Sequence, residues 1–125
     1  MEITLLDDAH PGEPVSVHSQ SGDWTAIWRG GSIEHRGRKF QVEVDIEDVD
    51  TWSTRDAESE FIGIKTTGGR TIVCGLVSVA YDDGTVALDL KPGVVLIDQD
   101  FASNVRTGQR ICLACRVMEV YPTGA

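Results

Sequence analysis

Residues 60–91 constrain the fold of this chain more than any other stretch. They read EFIGIKTT, then GG, then RTIVCGLVSVAYD, then DG, then TVALDLK. Gly-Gly or Asp-Gly between alternating runs marks a hairpin, because a two-residue loop that matches strand twist needs positive φ. A two-residue loop at Asp83-Gly84 sets Tyr81 opposite Val86, Val79 opposite Leu88 and Val77 opposite Leu90. A second at Gly68-Gly69 sets Ile64 opposite Val73 and Ile62 opposite Gly75. A one-residue slip would turn every side chain over, so the apolar pattern selects this register. It predicts a three-stranded meander whose buried side carries Ile62, Ile64, Val73, Val77, Val79, Tyr81, Val86, Leu88 and Leu90. The middle strand is apolar on both faces near Gly75, where a glycine lets a strand bend from one sheet into another.

The other segments also read as strands. Ile3, Leu5 and Leu6 suggest a short first strand. Val15 and Val17 alternate with Ser16 and His18, and Trp24, Ala26 and Trp28 alternate with Thr25 and Ile27. Gly30-Gly31 breaks that run, and Ser32 to His35 could carry it on. Residues 39–47 form the cleanest amphipathic strand, with Phe40, Val42, Val44 and Ile46 on one face and Gln41, Glu43, Asp45 and Glu47 on the other. Residues 48–59 lose the period of two, and Ser53 or Thr54 is placed to cap one helical turn through Glu58. Residues 94–97 read as a short strand. Residues 98–108 read as a loop, with one helical turn around Phe101 to Val105. In the last strand, residues 109–121, the apolar set passes from Ile111, Leu113, Cys115 and Val117 to Met118 and Val120, which predicts a bulge near Val117-Met118. The sum is an all-β, partly open small barrel of the OB-like type, about eight mostly antiparallel strands in one domain over residues 1–125. A β-sandwich is the alternative.

Composition narrows the function classes. The 125 residues carry a formal net charge of −9, which repels nucleic-acid phosphates and anionic membranes and favours basic partners. No apolar run approaches the roughly 20 residues a membrane helix needs, and no signal peptide is visible at Met1-Glu2-Ile3-Thr4. The expectation is therefore a cytoplasmic protein. Three cysteines, Cys74, Cys112 and Cys115, argue against a disulfide framework by their odd number. Cys112-Leu113-Ala114-Cys115 has redox or zinc spacing, but positions i and i+3 of a strand point to opposite faces. These cysteines read as buried small hydrophobes, and no metal or cofactor is expected.

No nucleophile elbow, zinc-helix motif or phosphate loop occurs, so no catalytic residues are assigned and the chain reads as a non-enzyme. His10, His18 and His35 are scattered. Trp24 and Trp28 share a face and read as core. The basic patch Arg29, His35, Arg36, Arg38 and Lys39 reads as protection of a strand edge, with an anion site as the other use. From Gln41 to Glu60, Glu43, Asp45, Glu47, Asp48, Asp50, Asp56, Glu58 and Glu60 face one base, Arg55. That run serves as a solvated face or as a docking face for a basic protein; it lacks the calcium-loop pattern. The candidate contact residues are Glu43, Asp45, Glu47, Asp48 and Asp50, with Trp52 as an aromatic anchor. The leading expectation is a protein-binding module, in concrete form an inhibitor or immunity-type protein against a basic enzyme. A small-molecule-binding barrel and a homo-oligomer built by strand pairing are the alternatives.

Overall fold

The computed structural model describes residues 1–55, 61–98 and 105–124. The side chains of residues 47, 48, 50–55, 98 and 117 lie outside that description. Nine strands are described: β1 (Glu2–Leu5), β2 (Pro14–Ser19), β3 (Gly22–Trp28), β4 (Lys39–Arg55), β5 (Gly63–Thr67), β6 (Arg70–Ala80), β7 (Thr85–Asp89), β8 (Val94–Asp98) and β9 (Arg110–Pro122). No helix occurs among the described residues.

Strand pairing closes a five-stranded barrel. β1 pairs with β2, β2 with β3, β3 with β9, β9 with β4, and β4 returns to β1. Only the β3–β9 contact is parallel. A curled half-barrel, β4–β9–β6–β7–β8, shares two of those strands, and β5 occupies the β6 edge ahead of β7. The all-β, partly open barrel is the architecture expected, with one strand more than the alternation suggested.

Alternation explains which residues fill the barrel. Cross-strand partners share a face, so Leu5, Val17 and Trp24 form one row. Trp28, Val120 and Val44 form another. Trp24 and Trp28 are core, as expected. The half-barrel buries Ile64 against Val73, Val77 against Leu88, and Leu88 against Val95. Both regions join in one apolar cluster.

β9 contains no bulge at Val117-Met118. Its pairing with β4 keeps one register from Tyr121 to Cys115. The buried set changes from Ile111, Leu113 and Cys115 to Met118 and Val120 because the two ends of the strand face different cores. The irregularity lies on β4, where the ladder shifts between Val49 and Thr51. That shift is why the period of two fails after Glu47 although the strand runs on to Arg55. The expected helical turn is thus strand at Ser53 and Thr54, and its remainder lies outside the described residues. The same is true of a helical turn around Phe101.

The Gly68-Gly69 hairpin has the expected register, Ile64 opposite Val73. β5 begins only at Gly63, so Ile62 stays unpaired and half-buried. The second hairpin differs. Tyr81 N–H donates to Thr85 O, and Asp82, Asp83 and Gly84 form a three-residue loop with Gly84 at φ 94°. A second irregularity, between Val77 and Val79, shifts the ladder again, so Val77 faces Leu88 rather than Leu90. Val79 and Tyr81 are consequently 40% and 50% exposed, not buried. Leu88 remains fully buried, and the half-barrel keeps its core. At Gly75, a Cβ would meet Asp89 O at 2.9 Å, so the glycine serves close packing against the end of β7.

The cysteines also differ from expectation. Cys74 and Cys112 are cross-strand partners on β6 and β9, with Cα atoms 4.1 Å apart, and form a disulfide. Cys115 takes no part in the disulfide and is buried on the other face of β9, where its thiol donates to Thr71 O at 3.6 Å. An odd cysteine count did not reveal a pair that only long-range strand pairing brings together. The bond closes a loop with a sequence separation of 38. Such a closure restricts the unfolded chain by about 3–4 kcal/mol in the chain-entropy account. Urea unfolding with and without reductant should therefore show a clearly lower midpoint when reduced, and Cys112→Ala should match the reduced protein. Equal midpoints would show that this crosslink adds nothing to stability.

Candidate functional site

The outer wall of the barrel is built by β4, β9 and the end of β3. On β4, Val42 and Ile46 point inward and are buried, so alternation turns Glu43 and Asp45 outward, and both are exposed. β9 lies antiparallel beside it. Its register sets Tyr121 next to Glu43 and Glu119 next to Asp45. Met118 and Val120 fill the core, so Glu119 and Tyr121 must share the outer face.

β3 reaches β9 from the other side, with Ile27 opposite Glu119. Arg29, just past β3, donates its main-chain N–H to Val120 O at 3.0 Å. Its Nε donates to the Glu119 carboxylate. The Glu119 side chain is only 6% exposed, and a carboxylate so far out of water needs a charged partner. The Tyr121 hydroxyl donates to Glu119 Oε2 at 3.2 Å, while 40% of Tyr121 remains exposed. The tyrosine is thus anchored at its hydroxyl and presents ring surface to solvent.

Charge is unevenly answered across this wall. Arg29 meets Glu119. Among the described residues, no ion pair engages Glu43 or Asp45. The negative potential therefore projects outward at the exposed pair. It acts on Tyr121 too, whose phenol is raised above its ordinary value. Desolvation is the first cause, followed by the Glu119 charge and hydrogen bond, with Arg29 opposing and Asp45 adding a little.

Of the residues predicted from sequence, Glu43 and Asp45 stand together on this wall. Glu47, Asp48, Asp50 and Trp52 belong to the β4 backbone, opposite the first part of β9, and their side chains lie outside the described residues. Glu119 and Tyr121 were not singled out, although the alternation Met118-Glu119-Val120-Tyr121 carries the signal. Arg29 was grouped with the basic patch but serves Glu119. Two more members of that patch are held locally, while Lys39 is exposed and has no ion pair among the described residues. Arg38 pairs with Glu34 and lies 4.9 Å over the Phe40 ring, and the main-chain N–H of Arg36 donates to Asp8 Oδ1 at 2.8 Å.

The C-x-x-C sulfurs point apart, as strand geometry requires: Cys112 is bonded to Cys74 and Cys115 lies on the opposite face. Among the described residues, no group of three or more His, Cys, Asp or Glu side chains could hold a metal ion. The described residues contain no helix long and apolar enough to cross a membrane. No family model, curated protein or solved structure matches this chain.

The raised phenol gives a pH test. A group whose folded pKa lies above its unfolded value stabilises the fold below the unfolded pKa and loses that contribution as pH rises through the folded one. Tyr121 therefore contributes fully below the ordinary tyrosine value of 10.0 and ceases to contribute above its own. Absorbance titration should show a late phenol that disappears in Tyr121→Phe. Glu119→Gln should move that midpoint back down. An unmoved midpoint would mean that Glu119 does not act on the phenol.

Proposed function

We propose that this chain is a protein-binding module whose contact surface is the outer β4–β9 wall and whose partner is basic. The observation that carries this reading is the half-exposed Tyr121, tied to Glu119 and flanked by the carboxylates of Glu43 and Asp45, which no ion pair engages among the described residues. A tyrosine held at its hydroxyl loses little freedom on binding, and such rings are favoured interface anchors. Exposed carboxylates beside it steer a cationic partner and set its orientation. The net charge of −9 acts in the same sense at longer range. Glu47, Asp48, Asp50 and Trp52 follow along β4, with side chains outside the described residues.

In its concrete form the reading is an inhibitor or immunity-type protein that covers a basic enzyme and performs no turnover itself. A cytoplasmic site of action adds one condition. That compartment keeps thiols reduced, so Cys74 and Cys112 would be a dithiol there.

The test uses the purified chain as bait in lysate of its native cell, beside a Glu43→Lys/Asp45→Lys variant and Tyr121→Ala. A basic protein should be retained by the unaltered chain and lost from both variants. With the partner purified, charge reversal should slow association by on the order of tenfold or more at low salt. Added salt should slow the unaltered pair. Retention indifferent to the substitutions and to salt would sink this reading.

A further inference from the structure

We infer that a cleft at the mouth of the barrel binds a small planar organic anion. The inference is independent of the partner reading, since it uses other residues and the opposite charge. The cleft has a volume of about 420 Å³, within the range of small-molecule sites. It lies between the segment joining β3 to β4 and the end of β9, and Arg38, Lys39, Phe40, Gly30 and Gly31 line it.

Charge is the first argument. Residues 29–39 contain Arg29, Arg36, Arg38 and Lys39 against one acid, Glu34, a local balance of 4 − 1 = +3. The remaining residues therefore sum to −9 − 3 = −12. The cleft is cut into this most basic segment, and its own lining is balanced, Arg38 and Lys39 against Glu2 and Glu34. Glu34 lines it too, but its carboxylate is met by Arg38 and by Ser32 Oγ at 3.2 Å. Glu2, at the other side, remains as a negative group. Lys39 is exposed and has no ion pair among the described residues. It is the cation left for a ligand.

Shape is the second argument. The flat Arg38 guanidinium lies 4.9 Å from the Phe40 ring centre, and Phe40 packs edge-on to Trp28 at 5.1 Å. That stack is a platform for another flat group. Gly31 leaves the main chain bare here, while the buried Gly30 packs on Trp28. A Cβ on Gly30 would strike the Trp28 indole at 2.6 Å, whereas one on Gly31 would meet nothing within 4 Å. No main-chain acceptor among the described residues takes the N–H groups of Gly30, Gly31 or Ser32. Of these, the exposed N–H groups of Gly31 and Ser32 are donors open to a negative group. A flat platform, the exposed amides of Gly31 and Ser32 and the Lys39 ammonium together suit an aromatic body carrying a carboxylate or phosphate.

The test is a titration of the ¹⁵N-labelled full chain with benzoate, adenosine monophosphate and inorganic phosphate at millimolar concentration. Both aromatic anions should move the amide signals of Gly30, Gly31 and Ser32, and phosphate alone should not. Lys39→Gln, a change at an exposed position, should weaken binding roughly tenfold, the usual loss of one charge-assisted hydrogen bond. Gly31→Leu should fill the cleft and abolish binding of both aromatic anions without a change of charge. The proposal is overturned if neither aromatic anion moves those signals. Equal shifts from phosphate alone, or shifts that survive Gly31→Leu, also overturn it.

Discussion

The antiparallel pairing of β4 with β9 is the contact on which the rest of the molecule depends. It runs from Val42 opposite Pro122 to Arg55 opposite Arg110, and each half of the fold uses a different length of it. The part nearer Pro122 is wall to the closed barrel. The part nearer Arg110 is wall to the half-barrel, where β6 joins from the other edge. Because successive side chains alternate, one strand can serve two cores on opposite faces only by changing which face is apolar along its length. β9 does this without an inserted residue, while β4 takes up the irregularity between Val49 and Thr51.

Closure of the barrel rests on a short seam. Only Ile27 with Glu119 and Trp28 with Val120 pair β3 to β9. Arg29 lengthens that seam with a main-chain hydrogen bond and then reinforces it through its side chain. Glu119 is nearly inaccessible because the seam closes over it, and its charge is tolerated because the same seam delivers Arg29. A second join links the barrel to the half-barrel. Ile64 N–H donates to Ser21 O at 2.8 Å, and side chains at Gly22 or Gly63 would lie 2.3 Å from a carbonyl oxygen of the facing segment. Main chain meets main chain there, so the two halves are held together by more than their shared strands.

Much of this architecture is legible in the residues. The Phe40 to Ile46 alternation, the inward tryptophans and the Gly68-Gly69 turn are local patterns, set by the pleat and by positive φ. What was not legible is non-local. The Asp82-Asp83-Gly84 loop and the later shift near Ser78 each move the register by one; Val79 and Tyr81 lie between them, where the single shift turns them outward, and the second shift returns Val77 to the buried face. The apolar switch in β9 has the same local appearance whether a bulge or a change of core produces it. Cys74 and Cys112 meet only through the β6–β9 pairing. At the candidate site, Glu43 and Asp45 follow from alternation alone, whereas the burial of Glu119 depends on Arg29, which is 90 positions away in the chain.

That separation bears on the order in which the molecule can be made. As the chain leaves the ribosome, β1 to β4 and β5 to β8 appear first, and their hairpins can pair locally. Yet four staves without β9 cannot form a ring, and the half-barrel has no β9 to bridge β4 and β6. A nascent chain that has not yet extruded β9 exposes the apolar faces of both halves, the kind of surface that chaperones shield. The two cores thus come into being together, and late.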